Sequence, residues 1–217
     1  MRELIVNTFM TLDGVMQAPG APEEDPSGGF DHGGWSFGYW DEQMGTAMGQ
    51  SMSEPFDLVL GRKTYEIFAA HWPYSDEPAA EPLNNATKHV ASTTLTQLEW
   101  ENSKLIEGEL PAGVSALKQQ DGPDLQVHGS ANLIQTLLKH GLIDEFRLWT
   151  FPLVLGEGKR LFDGGTVPAG LELTGSQVSS SGVTIAAYRT GAEIKYGSFV
   201  PETPSEAELA RRAGQER

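Results

Sequence analysis

Three polar turns in this 217-residue chain carry residue types suited to binding phosphate, and each directly follows a predicted strand. They are Gly61-Arg62-Lys63-Thr64, Ser92-Thr93-Thr94 and Gly129-Ser130-Ala131-Asn132. The first and third also begin predicted helices, whose free N–H groups and local dipole favour an anion. Each turn alone is better explained by ordinary turn and capping chemistry. Together they favour a nucleotide with several phosphates.

Positive charge in the first half of the chain is confined to one of these turns. Arg62 and Lys63 are the only Lys or Arg residues between Arg2 and Lys88. Such a pair is placed either for a specific anion or at the solvated start of a helix, and both interpretations stay open. The chain has neither the Gly-x-Gly-x-x-Gly pattern nor a Walker lysine motif, so a standard Rossmann or P-loop site is not supported.

Composition argues against several other classes of protein. The net charge of −15 disfavours a nucleic-acid partner, since phosphate backbones require a basic face. The absence of cysteine excludes disulfides, thiolate chemistry and cysteine-ligated zinc, and we expect no metal site. No apolar run approaches the ~20 residues of a membrane span, and the N-terminal run is too short for a signal peptide. We therefore predict a cytoplasmic protein with no membrane partner.

Apolar runs alternate with helical patterns, which predicts a mainly parallel sheet with helices on both faces and a closing antiparallel hairpin. Residues 17–38 form a long loop rich in Gly, Pro and acid, and loops of this length are usually functional or disordered. We expect one domain over residues 1–200 and a polar tail over 201–217, with a short helix from about Ser205. The predicted strands are 4–12, 56–60, 88–91, 104–107, 124–128, 144–155, 171–178 and 183–189, and the predicted helices are 41–53, 61–70, 113–119 and 130–140.

Several of these segments resemble a known superfamily. Residues 57–65 (Asp-Leu-Val-Leu-Gly-Arg-Lys-Thr-Tyr) and 125–133 (Leu-Gln-Val-His-Gly-Ser-Ala-Asn-Leu) look like the two phosphate turns of dihydrofolate-reductase-like proteins. Residues 11–15 and 142–162, with Gly-Glu-Gly-Lys-Arg-Leu-Phe near the end, are similar to the reductase domain of bifunctional riboflavin-biosynthesis deaminase-reductases. The resemblance covers about residues 2–190 and implies the dihydrofolate-reductase-like α/β fold.

The resemblance also implies an NADPH site. Gly61, Arg62, Lys63 and Thr64 would then bind the pyrophosphate and adenosine phosphate, Ser92, Thr93 and Thr94 the 2′-phosphate, and Gly129, Ser130, Ala131 and Asn132 the other side of the pyrophosphate. Dihydrofolate reductases carry Gly-Gly joined by a cis peptide at that last turn, whereas this chain has Gly129-Ser130.

Hydride transfer to a C=N or C=O group also needs a proton donor and a surface for the acceptor. Asp41, or its neighbour Glu42, resembles in position the carboxylate of dihydrofolate reductases, and Asp13 is a second candidate. For both, the alternative is a structural role, at a helix start and in a turn. Trp35, Phe37, Trp40 and Tyr65 are candidates for an apolar wall that stacks on a planar substrate, although each alone is more typical of a core residue.

We therefore expect an NADPH-dependent reductase of a small planar heterocycle or imine, similar to the 5-amino-6-(5-phosphoribosylamino)uracil reductase of riboflavin synthesis. The acidic loop counts against a phosphorylated substrate, and the chain has no deaminase domain. A dihydrofolate-reductase-type enzyme and a non-catalytic, dimeric nucleotide-sensing module are the alternatives. Similar proteins are dimeric, so the resemblance also implies a homodimer.

Overall fold

One sheet of eight strands organises the computed structural model, which describes residues 1–199 and 203–215. Apolar and β-branched residues build its central strands, which read as near-continuous hydrophobic runs because both faces are covered. The strands, numbered along the chain, are β1 (Leu4–Thr11), β2 (Phe56–Gly61), β3 (Lys88–Ala91), β4 (Ser103–Leu105), β5 (Asp124–Val127), β6 (Glu145–Phe151), β7 (Gly170–Val178) and β8 (Thr184–Ala192).

The strand order is β4-β3-β2-β5-β1-β6-β8-β7. The first six strands in this order run parallel, and β8 and β7 are antiparallel additions at one side. The predicted fold class is confirmed: a mixed, mainly parallel α/β sheet that ends in an antiparallel hairpin. The strand boundary that differs most from the prediction is the end of β6, which lies at Phe151 rather than Leu155. Pro152 follows it, and proline has no N–H to continue the ladder.

Helices cover both faces of the sheet. Val114 and Leu133 pack with Leu4 on one face, while Met44 and Leu83 belong to two clusters on the other. Helix α3 was not predicted, because its six residues include Pro82 and show no helical apolar period. The helices are α1 (Glu42–Ser51), α2 (Arg62–His71), α3 (Ala80–Asn85), α4 (Leu110–Gln119), α5 (Ala131–Lys139) and α6 (Glu206–Gln215).

The alternation of side chains along β1 decides what faces the site. Leu4 and Val6 point into the core beneath α4 and α5, whereas Phe9 packs with the cluster beneath α1. Asn7 shares the face of Phe9, since successive strand residues point to opposite sides. A polar side chain is thereby placed in the middle of an otherwise apolar surface.

The C-terminal tail holds the short helix that the sequence predicts. Helix α6 begins one residue after Ser205, whose Oγ accepts a hydrogen bond from the Glu208 N–H (3.3 Å). The predicted boundary between domain and tail, at residues 200 and 201, lies outside the described residues. Within residues 1–199 and 203–215, each helix is too short or too polar to cross a membrane.

Candidate functional site

The three polar turns meet at the C-terminal edge of the parallel strands. Gly61 is in register with Ala91, so Arg62 and Ser92 leave their strands side by side. Ser130 joins the first and third turns, because its Oγ accepts a hydrogen bond from the Gly61 N–H (2.8 Å) and donates one to Thr64 Oγ1 (2.6 Å). From β1 the chain passes outward through β2, β3 and β4 and then returns to β5, which lies between β2 and β1. The strand order therefore reverses beside these turns, which is the usual ligand position in open α/β sheets.

Two helices begin at this edge without a side-chain cap. The N-cap of α2 is Gly61, which has no side chain to accept a hydrogen bond. The N-cap of α5 is Ser130, whose side chain accepts none from its own helix. The first N–H groups of a helix have no intrahelical acceptor, so they are available to an anion. Gly129 (φ 86°) and Ser130 (φ 69°) both adopt left-handed backbone, and their peptide bond is trans. This turn thus differs from the cis Gly-Gly turn of dihydrofolate reductases.

A cavity of about 1740 Å³ opens along the turns. This volume exceeds the ≈ 300–1,000 Å³ typical of a pocket for one small ligand. It can hold a dinucleotide together with a second small molecule. All eleven residues of the predicted phosphate turns line it, along with most of the loop from Met16 to Asp25, the α1 residues Gly45, Met48, Gly49 and Met52, and Asn7, Phe9, Phe37, Trp40, His128 and Lys159.

The loop over residues 17–38 forms part of the cavity wall, and we call residues 17–38 the lid. Trp35 Nε1 donates to the Gln17 carbonyl (2.8 Å), and Gln17 Nε2 donates to the carbonyls of Asp25 (2.8 Å) and Ser27 (2.9 Å). Lys159 Nζ donates to Asp25 and to Ser27 Oγ (2.8 Å). These bonds give the lid a defined path although it contains no strand or α-helix.

The cations at the site already have acidic partners. Arg62 pairs with Glu66 one helical turn along (3.1 Å), and Lys63 Nζ lies 3.6 Å from the carboxylate of Asp25. Burial alone would raise the pKa of Asp25, but hydrogen bonds from Lys159 and Ser27 lower it overall. Asp25 is therefore ionised near neutral pH. An anion at the first turn has to share Lys63 with this lid carboxylate.

The predicted aromatic wall divides into two groups. Phe37 and Trp40 line the cavity and are exposed, at 84% and 50%. Trp35 and Tyr65 do not line it. Trp35 is buried against Phe151, and the Tyr65 hydroxyl accepts a hydrogen bond from the Trp100 N–H (3.0 Å), so both side chains belong to the core.

The structure gives the two predicted carboxylates structural partners outside the cavity lining. Asp41 caps α1 by accepting from the Met44 N–H (2.8 Å), and it also accepts from Ser180 Oγ (2.8 Å) and the Ser181 N–H (2.9 Å). The bond from Met44 contributes most to lowering the pKa of Asp41. The hydrogen bond from Thr11 Oγ1 (2.5 Å), helped by the Gly156 N–H (2.8 Å), lowers the pKa of Asp13 to about 2. Since the pKa of each carboxyl group is lowered, both Asp41 and Asp13 favour the ionised form.

Sequence reasoning did not single out Glu24, a carboxyl group in the lid that lines the cavity. Its Oε2 accepts from the N–H groups of Gly20 (2.6 Å) and Ala21 (3.2 Å). Burial raises the pKa of Glu24 despite those bonds. Only the fold could reveal this, since burial of one acid within an acidic loop leaves no pattern in the sequence.

The side of the cavity formed by β1, β5 and α1 contains few polar groups. On α1 it is formed by Gly45, Met48, Gly49 and Met52, so this helix presents small and thioether side chains rather than a carboxylate. Asn7 and His128 supply polar atoms there. We did not predict a role for Asn7 from sequence, since nothing distinguishes it from the other residues of the first strand.

Comparisons with known proteins agree with this fold. Residues 2–185 match the family described as the RibD C-terminal domain. Two proteins of Bacillus subtilis (strain 168), both described as uncharacterized, are similar: YyaP, 29% identical over 192 residues (86% of this chain and 94% of YyaP), and YwjB, 30% identical over 123 residues (55% and 66%).

Two crystal structures share the architecture. A putative riboflavin biosynthesis protein from Shewanella sp. PV-4 superposes with a TM-score of 0.63 at 22% identity, covering 88% of this chain and 99% of the other. A pyrimidine reductase-like protein from Corynebacterium diphtheriae gives a TM-score of 0.58 at 12% identity, covering 88% and 93%. At these identities the likeness establishes the fold.

Proposed function

We propose that this chain, which belongs to the RibD C-terminal domain family, is an NADPH-dependent reductase of a small planar heterocycle or imine that carries no phosphate. One observation carries the proposal. Three turns that are far apart in the sequence meet along one cavity, at two helix N-termini without side-chain caps. A ligand with several phosphates is the chemistry that uses all of them at once.

The residues at this edge fit NADPH. The N–H groups at the starts of α2 and α5 suit the pyrophosphate, and Arg62 and Lys63 add positive charge. A Cβ built on Gly61 would lie 3.0 Å from the Ser130 side chain, so glycine lets the two turns approach without displacing that side chain. Ser92, Thr93 and Thr94 would supply hydroxyl donors to the 2′-phosphate.

When bound, the cofactor supplies a hydride to the acceptor. The chain's own part is to orient the acceptor, exclude water and provide a proton. Phe37 and Trp40 offer flat apolar surfaces beside the methionines of α1, which suits a planar ring. Glu24 is our candidate proton source, because among the cavity-lining carboxyl groups of the described residues it is the one whose pKa is raised.

Charge around the cavity mouth supports an acceptor without phosphate. Glu23 and Asp25 line the cavity, and Asp25 already pairs with Lys63 and Lys159. A phosphate monoester on the acceptor would meet these acids. The pyrimidine reductase-like relative supports a pyrimidine-type ring as the first class to test.

The test measures NADPH oxidation, monitored as the loss of NADPH absorbance, with acceptors that differ in the presence of a phosphate. The pair is a ribosylaminouracil with and without its 5′-phosphate, and dihydrofolate serves as a separate arm. We expect turnover of a heterocycle without phosphate and at least tenfold lower kcat/KM for its phosphorylated counterpart. Preference for the phosphorylated compound would contradict the acceptor class. NADPH binding without oxidation by any acceptor would favour a sensor.

A further inference from the structure

Asn7 has an unusual position on the cavity side of β1. The residue is 4% exposed and is one of those that line the cavity, yet its Nδ2 has no hydrogen-bond partner within the described part of the chain. Buried amide donors are normally satisfied, because leaving one unpaired destabilises the folded state. An unpaired buried donor in the wall of a ligand cavity is explained if the ligand supplies the acceptor.

The orientation of this amide is fixed by chemistry. Trp149 Nε1 lies 3.1 Å from Asn7 Oδ1, and an indole nitrogen can only donate. The oxygen of Asn7 must therefore face Trp149, and the amide cannot rotate by 180° without losing that bond. Trp149 is itself 1% exposed, so the tryptophan is held by the core. Asn7 thus presents an NH₂ group and not a carbonyl as its free end.

His128 provides an acceptor next to this donor. Val6 and Val127 are in register on β1 and β5, so the residues that follow them, Asn7 and His128, are neighbours on one face. Gln126 Nε2 donates to the Ser51 carbonyl (3.4 Å), which directs Gln126 Oε1 to accept from His128 Nε2 (2.7 Å). The His128 proton is thereby placed on Nε2, which leaves Nδ1 as an acceptor with no donor among residues 1–199 and 203–215.

The ring of His128 is neutral at physiological pH. Burial, followed by the nearby charge of Arg147, lowers its pKa to about 4. A neutral imidazole acceptor beside an amide donor is complementary to a ligand group that has a carbonyl oxygen adjacent to an N–H. Primary carboxamides and ring lactams have this arrangement.

We infer that Asn7 is a specificity-determining residue, whose Nδ2 donates a hydrogen bond to the carbonyl oxygen of an amide group on a planar ligand in this cavity. The inference deepens the proposed function and rests on it for the identity of the cavity. Two ligands could bring the carbonyl: the carboxamide of the nicotinamide, or a lactam of the acceptor ring.

The experiment uses two variants that remove the donor in different ways. Asn7→Asp keeps an oxygen for Trp149 and replaces NH₂ by a second oxygen. The double variant Asn7→Leu with Trp149→Phe removes both partners, which avoids a buried charge and a new unpaired group. Ser103→Ala is the matched control, because Ser103 Oγ is also buried without a partner among the residues described, but lies outside the cavity lining. Thermal unfolding confirms that each variant is folded.

Four probes are titrated: NADPH, its thionicotinamide analogue, adenosine 2′,5′-bisphosphate, and uracil in the presence of saturating NADP⁺. If the carboxamide is the partner, wild type binds NADPH at least tenfold more tightly than the thio analogue and both variants lose that preference. Binding of the bisphosphate then stays unchanged. If a lactam is the partner, the variants bind uracil at least tenfold more weakly while NADPH binding is kept. Ser103→Ala matches wild type in every arm.

The inference is overturned if both Asn7 variants bind all four probes within twofold of wild type. It is also overturned if no protein binds uracil and the variants bind the other three probes within twofold of wild type. Failure of the proposed function gives a different result. A wild-type chain that binds no NADPH would overturn the cofactor assignment, and uracil titrated against the protein alone then decides the role of Asn7.

Discussion

The carboxylate of Asp25 lies 3.6 Å from the Lys63 ammonium group, so a lid residue is paired with a cation of the first phosphate turn. Asp25 also accepts a hydrogen bond from Lys159. The pair links the position of the lid to the charge available for a phosphate. If the cavity binds NADPH as proposed, cofactor affinity depends on the position of the lid, because an anion at the turn competes with Asp25 for Lys63.

Replacing Asp25 by Asn should therefore tighten NADPH binding. The Lys63 side chain is 53% exposed, and exposed ion pairs are worth only about 0.2–1 kcal/mol, so we expect a decrease in Kd of roughly two- to fivefold at low ionic strength. Asp31→Asn is the control, since it removes the same charge from the same loop at a site that is 86% exposed. Weaker binding by Asp25→Asn in a fluorescence titration would show that the lid anchor matters more than the charge.

Replacing Asp41 by Ala should lower stability and leave turnover nearly intact. The change removes the cap of α1 and the bonds to Ser180 and Ser181, so we expect a fall in Tm of a few degrees. The value of kcat/KM should stay within about threefold of wild type, a difference below 1 kcal/mol. Gln43→Ala, at an exposed position two residues further along α1, serves as the control. A loss of a hundredfold in kcat with unchanged Tm would instead identify Asp41 as the proton donor.

Replacing Glu24 by Gln should reduce kcat and alter its pH dependence. Loss of a general acid typically slows a reaction by 10²–10⁴-fold, and the amide oxygen can keep the bonds from Gly20 and Ala21. Because burial raises the pKa of Glu24, its acid form persists to higher pH, and kcat of wild type should fall as pH rises through that pKa.

The Glu24→Gln variant should lack this alkaline decrease while binding NADPH normally. Glu23→Gln, which changes a neighbouring acid of the cavity mouth, should keep both the rate and the pH profile. If the decrease with pH survives in Glu24→Gln, another group donates the proton.

His128 should make the folded state less stable in mild acid. Its pKa is about 4 in the folded chain against an ordinary value of 6.5, so the unfolded chain binds more protons between these values. The free energy of unfolding therefore declines as pH falls from 6.5 towards 4, with a limiting slope of about 1.4 kcal/mol per pH unit.

Denaturant unfolding at several pH values measures this decline. The slope should be shallower in His128→Asn, whereas His140→Asn, at an exposed position after α5, should follow wild type. Identical slopes for His128→Asn and wild type would mean that His128 is not held neutral by burial.

The sequence predicted the elements of this fold well where the pattern was strong. The apolar runs of β1, β2 and β5 and the helical period of α5 were sufficient to assign them, and the strand-end turns followed. Helix α3 was missed because proline and a short length hide its pattern. The end of β6 was misplaced because the apolar residues Leu153, Val154 and Leu155 continue past Pro152.

The site was harder to predict, because it depends on which side chains the fold turns towards the cavity. All the phosphate-turn residues line it, since strand ends of a parallel sheet share an edge. Trp35 and Tyr65 look the same as Phe37 and Trp40 in sequence, and only packing separates them. Asn7 is oriented by Trp149, which is distant in the sequence. The pKa of Glu24 depends on its burial and on the N–H of Gly20, and both are set by the path of the loop.

The central claim is that the cavity binds NADPH through the turn at Arg62 and Lys63. A titration of the protein with NADPH, monitored by fluorescence, tests this claim most directly. Wild type and Lys139→Ala, which changes an exposed lysine at the far end of α5, should bind with the same Kd, in the micromolar range or below. The double variant Arg62→Ala with Lys63→Ala should bind at least tenfold more weakly, a difference of about 1.4 kcal/mol or more, and with a weaker dependence on salt. No saturation by wild type at millimolar NADPH, or equal affinity of the double variant, would contradict the account.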